Sequence, residues 1–212
     1  MIKVHHTVRS TLAGLVLGLA GLTLVLLAVA NSRATLKSPE STLMIQDREG
    51  RFLGEIQEGD DGRLGFWQVE ELPERVVAAT VGIEDRRFLE HPGVDPIAVF
   101  RAIEQNISNG QRISGASTLA MQVARLQSPG RRTYLRKSIE AVTALIITHK
   151  YGREAVLRQY LLLAPYGNNV HGISYAARRY FNKPIEDLSW AETAFLTALP
   201  QAPSTMNPYR QS

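Results

Sequence analysis

Cysteine is absent from the 212 residues, which excludes disulfide scaffolds, Cys-ligated zinc, iron–sulfur clusters and thiol nucleophiles in any compartment. Histidine is sparse, at five, and no His-Glu-x-x-His pair occurs, so the common zinc-hydrolase pattern is missing. There is no Gly-x-Ser-x-Gly elbow and no Walker loop. No serine is followed three residues later by lysine, and Lys-Thr-Gly does not occur, which removes serine acylation of that kind. Neither sign of charge dominates: 24 Lys and Arg against 20 Asp and Glu leave +4. That small excess suits a membrane surface, a phosphate-bearing substrate or nucleic acid, and does not choose among them. Hydrophobic residues at 44% and charged residues at 21% exclude wholesale disorder. The length allows one domain with a small appendage, and no repeat or low-complexity tract is visible.

What the chain does have is one long apolar run. Thr11 to Ala30 is a stretch of twenty residues without a charged side chain, and as a helix it spans about 30 Å, the thickness of a bilayer's hydrocarbon. Lys3 and Arg9 precede it, which places residues 1–10 in the cytoplasm and the remainder outside. Arg33 and Lys37 weaken that asymmetry. Ala28-Val29-Ala30 has the small-x-small form of a signal cleavage site, but a signal core runs to about 7–15 residues, and this run is longer. The preferred division is an anchor over 11–30, a polar linker over 31–41 and a domain over 42–212, expected to be truncated at its C-terminus. Anchor or cleaved signal, residues 31–212 are exported.

Beyond the linker, Leu43, Ile45, Phe52, Leu53 and Ile56 flank Asp47-Arg48-Glu49-Gly50, the pattern of two short strands joined by a turn. From Pro73 the pattern becomes helical. Pro73 is expected at the first position of a helix carrying Val76, Val77, Ala79, Thr80 and Ile83. Asp95-Pro96 starts another, with Ile97, Phe100, Ile103 and Ile107 on one face. Ser117 is expected to cap a third, through Leu119, Val123 and Leu126. Leu135 to Thr148 predicts a long helix whose extension ends at Gly152. Helices over Arg153–Leu163, Ile173–Tyr180 and Ser189–Leu199 complete the set, the last with the Ser189/Glu192 spacing of a capping box.

Three stretches concentrate chemistry. Glu84-Asp85-Arg86-Arg87-Phe88-Leu89-Glu90-His91-Pro92-Gly93-Val94-Asp95 crowds carboxylates, an aromatic ring and an imidazole at one helix end, where a carboxylate could project into a cleft. Its plainer reading is a solvated terminus with Phe88 in the core, His91 holding a loop and Asp95 capping the next helix. Gly115-Ala116-Ser117-Thr118-Leu119-Ala120-Met121-Gln122 places small residues before a helix start, whose free N–H groups can meet an anion or simply be capped. Arg136, Lys137 and Glu140 share a helix face. They are either a surface ion cluster worth a few tenths of a kcal/mol per pair or part of an anion site. Residues 125–158 hold eight basic side chains against Glu140 and Glu154, a local charge of +6 that exceeds that of the whole chain. A cationic patch beside a candidate catalytic carboxylate suits a pyrophosphate.

Taken together, these stretches resemble the peptidoglycan glycosyltransferase family, the transglycosylase domain of class A penicillin-binding proteins and of monofunctional transglycosylases. That family's first motif is Glu-Asp-x-x-Phe-x-x-His-x-Gly-x-Asp, and Glu84, Asp85, Phe88, His91, Gly93 and Asp95 match every specified position. The second, Gly-x-Ser-Thr-Ile-Thr-Gln-Gln, is met by Gly115, Ser117, Thr118 and Gln122, while Ala120 and Met121 depart. The third, Arg-Lys-x-x-Glu, is met in full by Arg136, Lys137 and Glu140. Downstream, Tyr160-Leu161, Gly167, Gly172, Ala176-Ala177, Tyr180-Phe181 and Lys183 follow the family's later segments in order. Gln201-Ala202-Pro203-Ser204 and Asn207-Pro208 resemble the segment that closes the domain. Ala164-Pro165-Tyr166-Gly167 is similar to the penicillin-binding protein 1C branch. Arg158 and Leu162 stand where the family commonly has Glu and Asn, and Thr148 where an acidic residue is expected.

The resemblance implies a mainly α, lysozyme-like transglycosylase domain with a short N-terminal β-hairpin, preceded by one transmembrane helix in the bacterial cytoplasmic membrane. It implies polymerisation of lipid II with inversion, Glu84 acting as general base on the acceptor's 4-hydroxyl. Glu140 would aid departure of undecaprenyl pyrophosphate, with Mg²⁺ as an optional cofactor at Glu140. Arg136 and Lys137 would clamp the pyrophosphate, and Asp85, Ser117, Thr118 and Gln122 would contribute to substrate binding. The implied partners are lipid II, the nascent glycan strand, the membrane and other cell-wall synthesis proteins, with no nucleic acid. The rivals are a catalytically weak lipid II-binding or scaffold protein, and a lytic muramidase. The second is disfavoured because hydrolysis needs no pyrophosphate clamp.

Overall fold

The computed structural model describes residues 2–56, 62–109 and 116–201. Gly115 of the second motif, together with Ala202-Pro203-Ser204 and Asn207-Pro208 of the closing segment, lies outside the described residues.

The apolar run forms part of one helix, α1 (Ile2–Arg33), within which Val16–Arg33 is long and apolar enough to cross a membrane. Its C-terminal end is held by the rest of the chain. Ala30 and Ala34 are buried, and the Thr143 hydroxyl donates to the Ala30 carbonyl at 3.4 Å. Small side chains at this end permit the close approach. From Val16 to Val25, by contrast, the leucines and valines stay exposed.

The expected hairpin is present as β1 (Leu43–Gln46) and β2 (Phe52–Ile56), antiparallel, with a bulge between Ile45 and Gln46. Asp47 builds the turn: its Oδ1 accepts the backbone N–H groups of Glu49 and Arg51, both at 2.9 Å, and Gly50 takes φ 76°. A second pair was not anticipated. β3 (Leu64–Gly65) runs parallel to β4 (Val170–His171), two residues on each side.

Helices make up the body. α2 (Glu74–Glu84) has Pro73 as its N-cap, one residue outside the helix and not at its first position. α3 (Pro96–Ser108) is capped by Asp95, whose Oδ1 accepts the N–H groups of Ile97 (2.9 Å) and Ala98 (3.1 Å). α4 (Leu119–Gln127) is capped by Thr118, not by Ser117. α5 (Tyr134–Leu163) combines the two helices expected on either side of Gly152, which breaks it with φ 81°. α6 (Ile173–Phe181) ends at Asn182 in the left-handed region, and α7 (Trp190–Ala198) follows a 3-10 turn at Ile185–Asp187.

One core joins these helices, with Phe88, Leu119, Val123, Ile147, Tyr175 and Leu196 buried in it. α4 packs along α5, and α2 packs against α7. The apolar stripe of α3 does not join. Ile97, Phe100, Ile103 and Ile107 are 53, 70, 52 and 75% exposed, and Ala102 is the helix's buried residue. Two departures from the family pattern have local uses. Leu162 packs with Phe66 and Leu163. Arg158 donates to the carbonyls of Val69 and Glu70, both at 2.7 Å, strapping that loop to α5.

The capping box at α7 forms as its spacing predicted: the Glu192 N–H donates to Ser189 Oγ, and the Ser189 N–H donates to Glu192 Oε2 at 2.7 Å. Lys183 adds a 2.8 Å bond to Glu192 Oε1. The Lys183 bond first, then those from Ser189, hold the Glu192 carboxyl down at about 2 against an ordinary value of 4.5. A depressed carboxyl stabilises the fold above its unfolded value and loses that contribution as pH falls through the folded one. Glu192→Gln is therefore expected to lower the melting temperature at pH 7, and the gap from the wild type should close between about pH 4.5 and 2. Thermal melts across that range measure it.

Candidate active site

The first motif begins where α2 stops. Asp85 is its C-cap, donating its N–H to the Val81 carbonyl at 3.0 Å, and the chain then turns so that its side chain enters the core. Both carboxylate oxygens are taken by protein donors. His91 Nε2 lies 3.0 and 3.1 Å from them, and the Leu119 N–H donates to Oδ2 at 3.0 Å. The Gly93 N–H donates to His91 Nδ1 at 3.1 Å. That assigns the proton to Nε2 and makes the imidazole a donor to Asp85.

The loop carrying these groups is fastened from two sides. Arg153 of α5 donates to the His91 carbonyl at 3.0 and 3.3 Å. Thr118 donates its hydroxyl to the Gly93 carbonyl while accepting the Met121 N–H. Gly93 lies at φ 121°, and a Cβ there would meet the Ala144 carbonyl oxygen of α5 at 2.5 Å. Only glycine admits this approach. Phe88 is fully buried, edge-on to His91 with ring centroids 6.3 Å apart.

Glu84, one residue before Asp85, points elsewhere. Its Oε2 accepts Gln122 Nε2 at 2.8 Å, and Gln122 Oε1 accepts Arg125 Nη2 at 3.4 Å. Its Oε1 is buried without a partner. Two buried phenols, Tyr160 of α5 and Tyr166, feel the Glu84 charge. Burial first, then neighbouring groups including Glu84, raise both well above the ordinary tyrosine range.

A cleft of about 880 Å³ opens between α3, α4 and the start of α5. One part of its wall is apolar, with Val94, Val99, Ile103 and Met121. Another is cationic, with Arg125, Arg132, Arg136 and Lys137, and Glu140 is the acidic side chain among them. Arg136 Nε donates to Glu140 Oε1 at 3.1 Å, and Arg136 Nη2 is buried with no partner. The guanidinium lies against Gly130, where any Cβ would collide with it.

Of the expected site residues, Ser117, Arg136, Lys137 and Glu140 line this cleft. Gln122 joins it to Glu84 through Arg125, whereas Asp85 and Thr118 are buried in the loop that shapes it. Glu84 itself is not among the lining residues. The basic cluster also divides. Arg125, Arg132, Arg136 and Lys137 face the cleft, but Arg153 and Arg158 are spent on backbone carbonyls outside it. Sequence reasoning gave Tyr160, Tyr166 and Arg125 no role beside Glu84. Their positions in α5, just after it and in α4 carry no local signal of that convergence.

For a metal, Glu140 is the acidic group in the cleft and its carboxylate is engaged by Arg136. Among the described residues no three His, Asp or Glu side chains gather to hold an ion. A single carboxylate already engaged by Arg136 does not make a site for a resident Mg²⁺.

Residues 49–212 match the transglycosylase family. The chain is 35% identical over 170 residues to penicillin-binding protein 1A of Haemophilus influenzae, covering 80% of this chain and 20% of that protein. It is 40% identical over 150 residues to penicillin-binding protein 1C of Escherichia coli K12 (69 and 20%) and 38% over 141 residues to penicillin-binding protein 1F of Bacillus subtilis (66 and 20%). The chain thus spans about a fifth of the length of these relatives. A family match over most of the chain, with relatives at 35 to 40% identity and a mainly helical fold, establishes that it belongs to the transglycosylase family, the peptidoglycan glycosyltransferase domain of class A penicillin-binding proteins.

Proposed function

We propose that the chain polymerises lipid II into β-1,4-linked glycan strands, with inversion at the anomeric carbon and release of undecaprenyl pyrophosphate. The observation that carries this reading is the two-sided cleft. Its apolar wall suits a prenyl chain, and its four cations suit the pyrophosphate that joins the chain to the sugar. The unpartnered Arg136 Nη2 is a donor available to a phosphate oxygen. As the bond to the sugar breaks, negative charge grows on the leaving pyrophosphate, and Arg136 and Lys137 stabilise it without having to reorganise. Glu140 orients Arg136 through their shared hydrogen bond.

On the acceptor side, Glu84 takes the proton from the 4-hydroxyl as that oxygen attacks the donor sugar from the face opposite the leaving group. Glu84 starts tied to Gln122, so the acceptor hydroxyl displaces or shares that bond on binding. Asp85 and Thr118 serve by holding the loop, through His91, Leu119 and Gly93. The exposed apolar face of α3 shares Ile103 with the cleft and, like α1, rests in the bilayer from which the lipid substrate comes. The catalytic domain lies on the outer side of the cytoplasmic membrane.

The test is the full-length chain in detergent with lipid II, its products resolved as glycan chains on gels. Polymer of many disaccharides is the expected result. Well-folded protein that binds lipid II without polymerising it would favour a scaffold. Soluble muropeptides released from finished sacculi would instead identify a lytic enzyme.

A further inference from the structure

The contact that most needs a chemical account is the one behind Glu84. Its Oε2 has a donor in Gln122, but its Oε1 is buried with none. The Tyr160 hydroxyl, carried by α5, is likewise buried and unpartnered. The Glu84 carboxylate bears directly on the Tyr160 phenol, so a dry acceptor and a dry donor stand beside each other in the interior. Each costs free energy while unmet, and one small adjustment satisfies both.

We propose that Tyr160 is a positioning residue for the base: its hydroxyl supplies the donor that Glu84 Oε1 lacks, so the carboxylate is gripped from α4 by Gln122 and from α5 by Tyr160. This rests on the reading of Glu84 as the group that takes the acceptor's proton. An ionised carboxylate offers about four lone-pair sites, so two protein donors leave it able to receive a substrate hydroxyl. Tyr160 does not itself exchange a proton. Burial, Tyr166 and the Glu84 charge raise its phenol far above the working pH, which keeps it a donor throughout. Holding both oxygens fixes the orientation of the carboxylate plane. Gln122 alone would leave the group free to rotate about that single bond.

The test uses the full-length chain in detergent with Tyr160→Phe, Tyr166→Phe and Tyr175→Phe. Tyr175 is the control, since its hydroxyl is also buried and unpartnered but its carboxylate neighbour is Glu55. The first readout needs no turnover. The carboxylate stretch of Glu84, identified by infrared difference against Glu84→Gln, is expected to shift in Tyr160→Phe and to stay in place in Tyr175→Phe. The second is the pH–rate profile with lipid II. Tyr160→Phe should lower kcat about tenfold with KM within about twofold, and move the acid limb up by about one pH unit, the equivalent of one hydrogen bond to a charged group. An infrared band and acid limb that coincide with the wild type's, or that move only in Tyr166→Phe, overturn the proposal. If the wild type forms no glycan, the reading of Glu84 as a base fails separately, and the infrared band alone decides the Tyr160 contact.

Discussion

Glu84→Gln is expected to reduce glycan polymerisation by about a thousandfold, inside the range of 10²–10⁴ that a positioned base contributes, while leaving the fold intact. The substitution is nearly isosteric. The new amide carbonyl can still accept the 2.8 Å bond from Gln122 Nε2, and on the buried side the amide NH2 can donate to the Tyr160 hydroxyl oxygen. What disappears is the ability to receive a proton from the sugar hydroxyl. The effect should therefore fall on kcat, with lipid II binding and the melting temperature close to those of the wild type. Binding by a fluorescent lipid II analogue and turnover by gel separate the two. Polymerisation within tenfold of the wild type would remove Glu84 from the chemistry and return attention to Glu140, the acidic side chain that does line the cleft.

That Glu84 stands behind the cleft wall illustrates where sequence reading succeeds and where it stops. Signals that act within one turn of chain were legible. Asp47 closing its hairpin, Asp95 capping α3 and the Ser189/Glu192 box all act over two to four residues, and all form. Of the motif residues, Ser117, Arg136, Lys137 and Glu140 meet at one cleft, whereas Glu84 does not line it. What was not legible depends on partners distant in the chain. Leu64–Gly65 pairs with Val170–His171 across more than a hundred residues through two residues each, too short to leave an alternating pattern. The apolar stripe of α3 has the period of a buried face, yet among the described residues no helix covers it. Periodicity reports an apolar stripe and cannot say what lies against it. Ser117 and Thr118 are equally good caps by composition. Thr118 wins because its hydroxyl also reaches the Gly93 carbonyl, and Ser117 is left free to line the cleft. Arg153 and Arg158 counted toward a cationic patch until their carbonyl partners, more than sixty residues away, took them out of it.

The same long-range logic makes Asp85 the position where a single change should cost the fold most. Asp85→Ala removes the acceptor of two buried donors at once, the His91 Nε2–H and the Leu119 N–H. Each stranded donor costs roughly 1–3 kcal/mol, so the expected loss is about 4 kcal/mol. At roughly 2–4 °C per kcal/mol for a domain of this size, the melting temperature should fall by about 8–16 °C. The damage is directed as well as large. Leu119 opens α4, the helix that carries Gln122 and Arg125, and His91 anchors the loop through Gly93 and Arg153. Releasing that joint lets α2 and α4 separate, and with them Glu84 and the cleft. Asp85→Asn keeps one acceptor oxygen, so it should lose about half as much. Circular-dichroism melts of the three proteins in detergent order them. A melting temperature for Asp85→Ala within 2 °C of the wild type would mean that neither bond stabilises the fold, and that the buried carboxylate is held for the substrate alone.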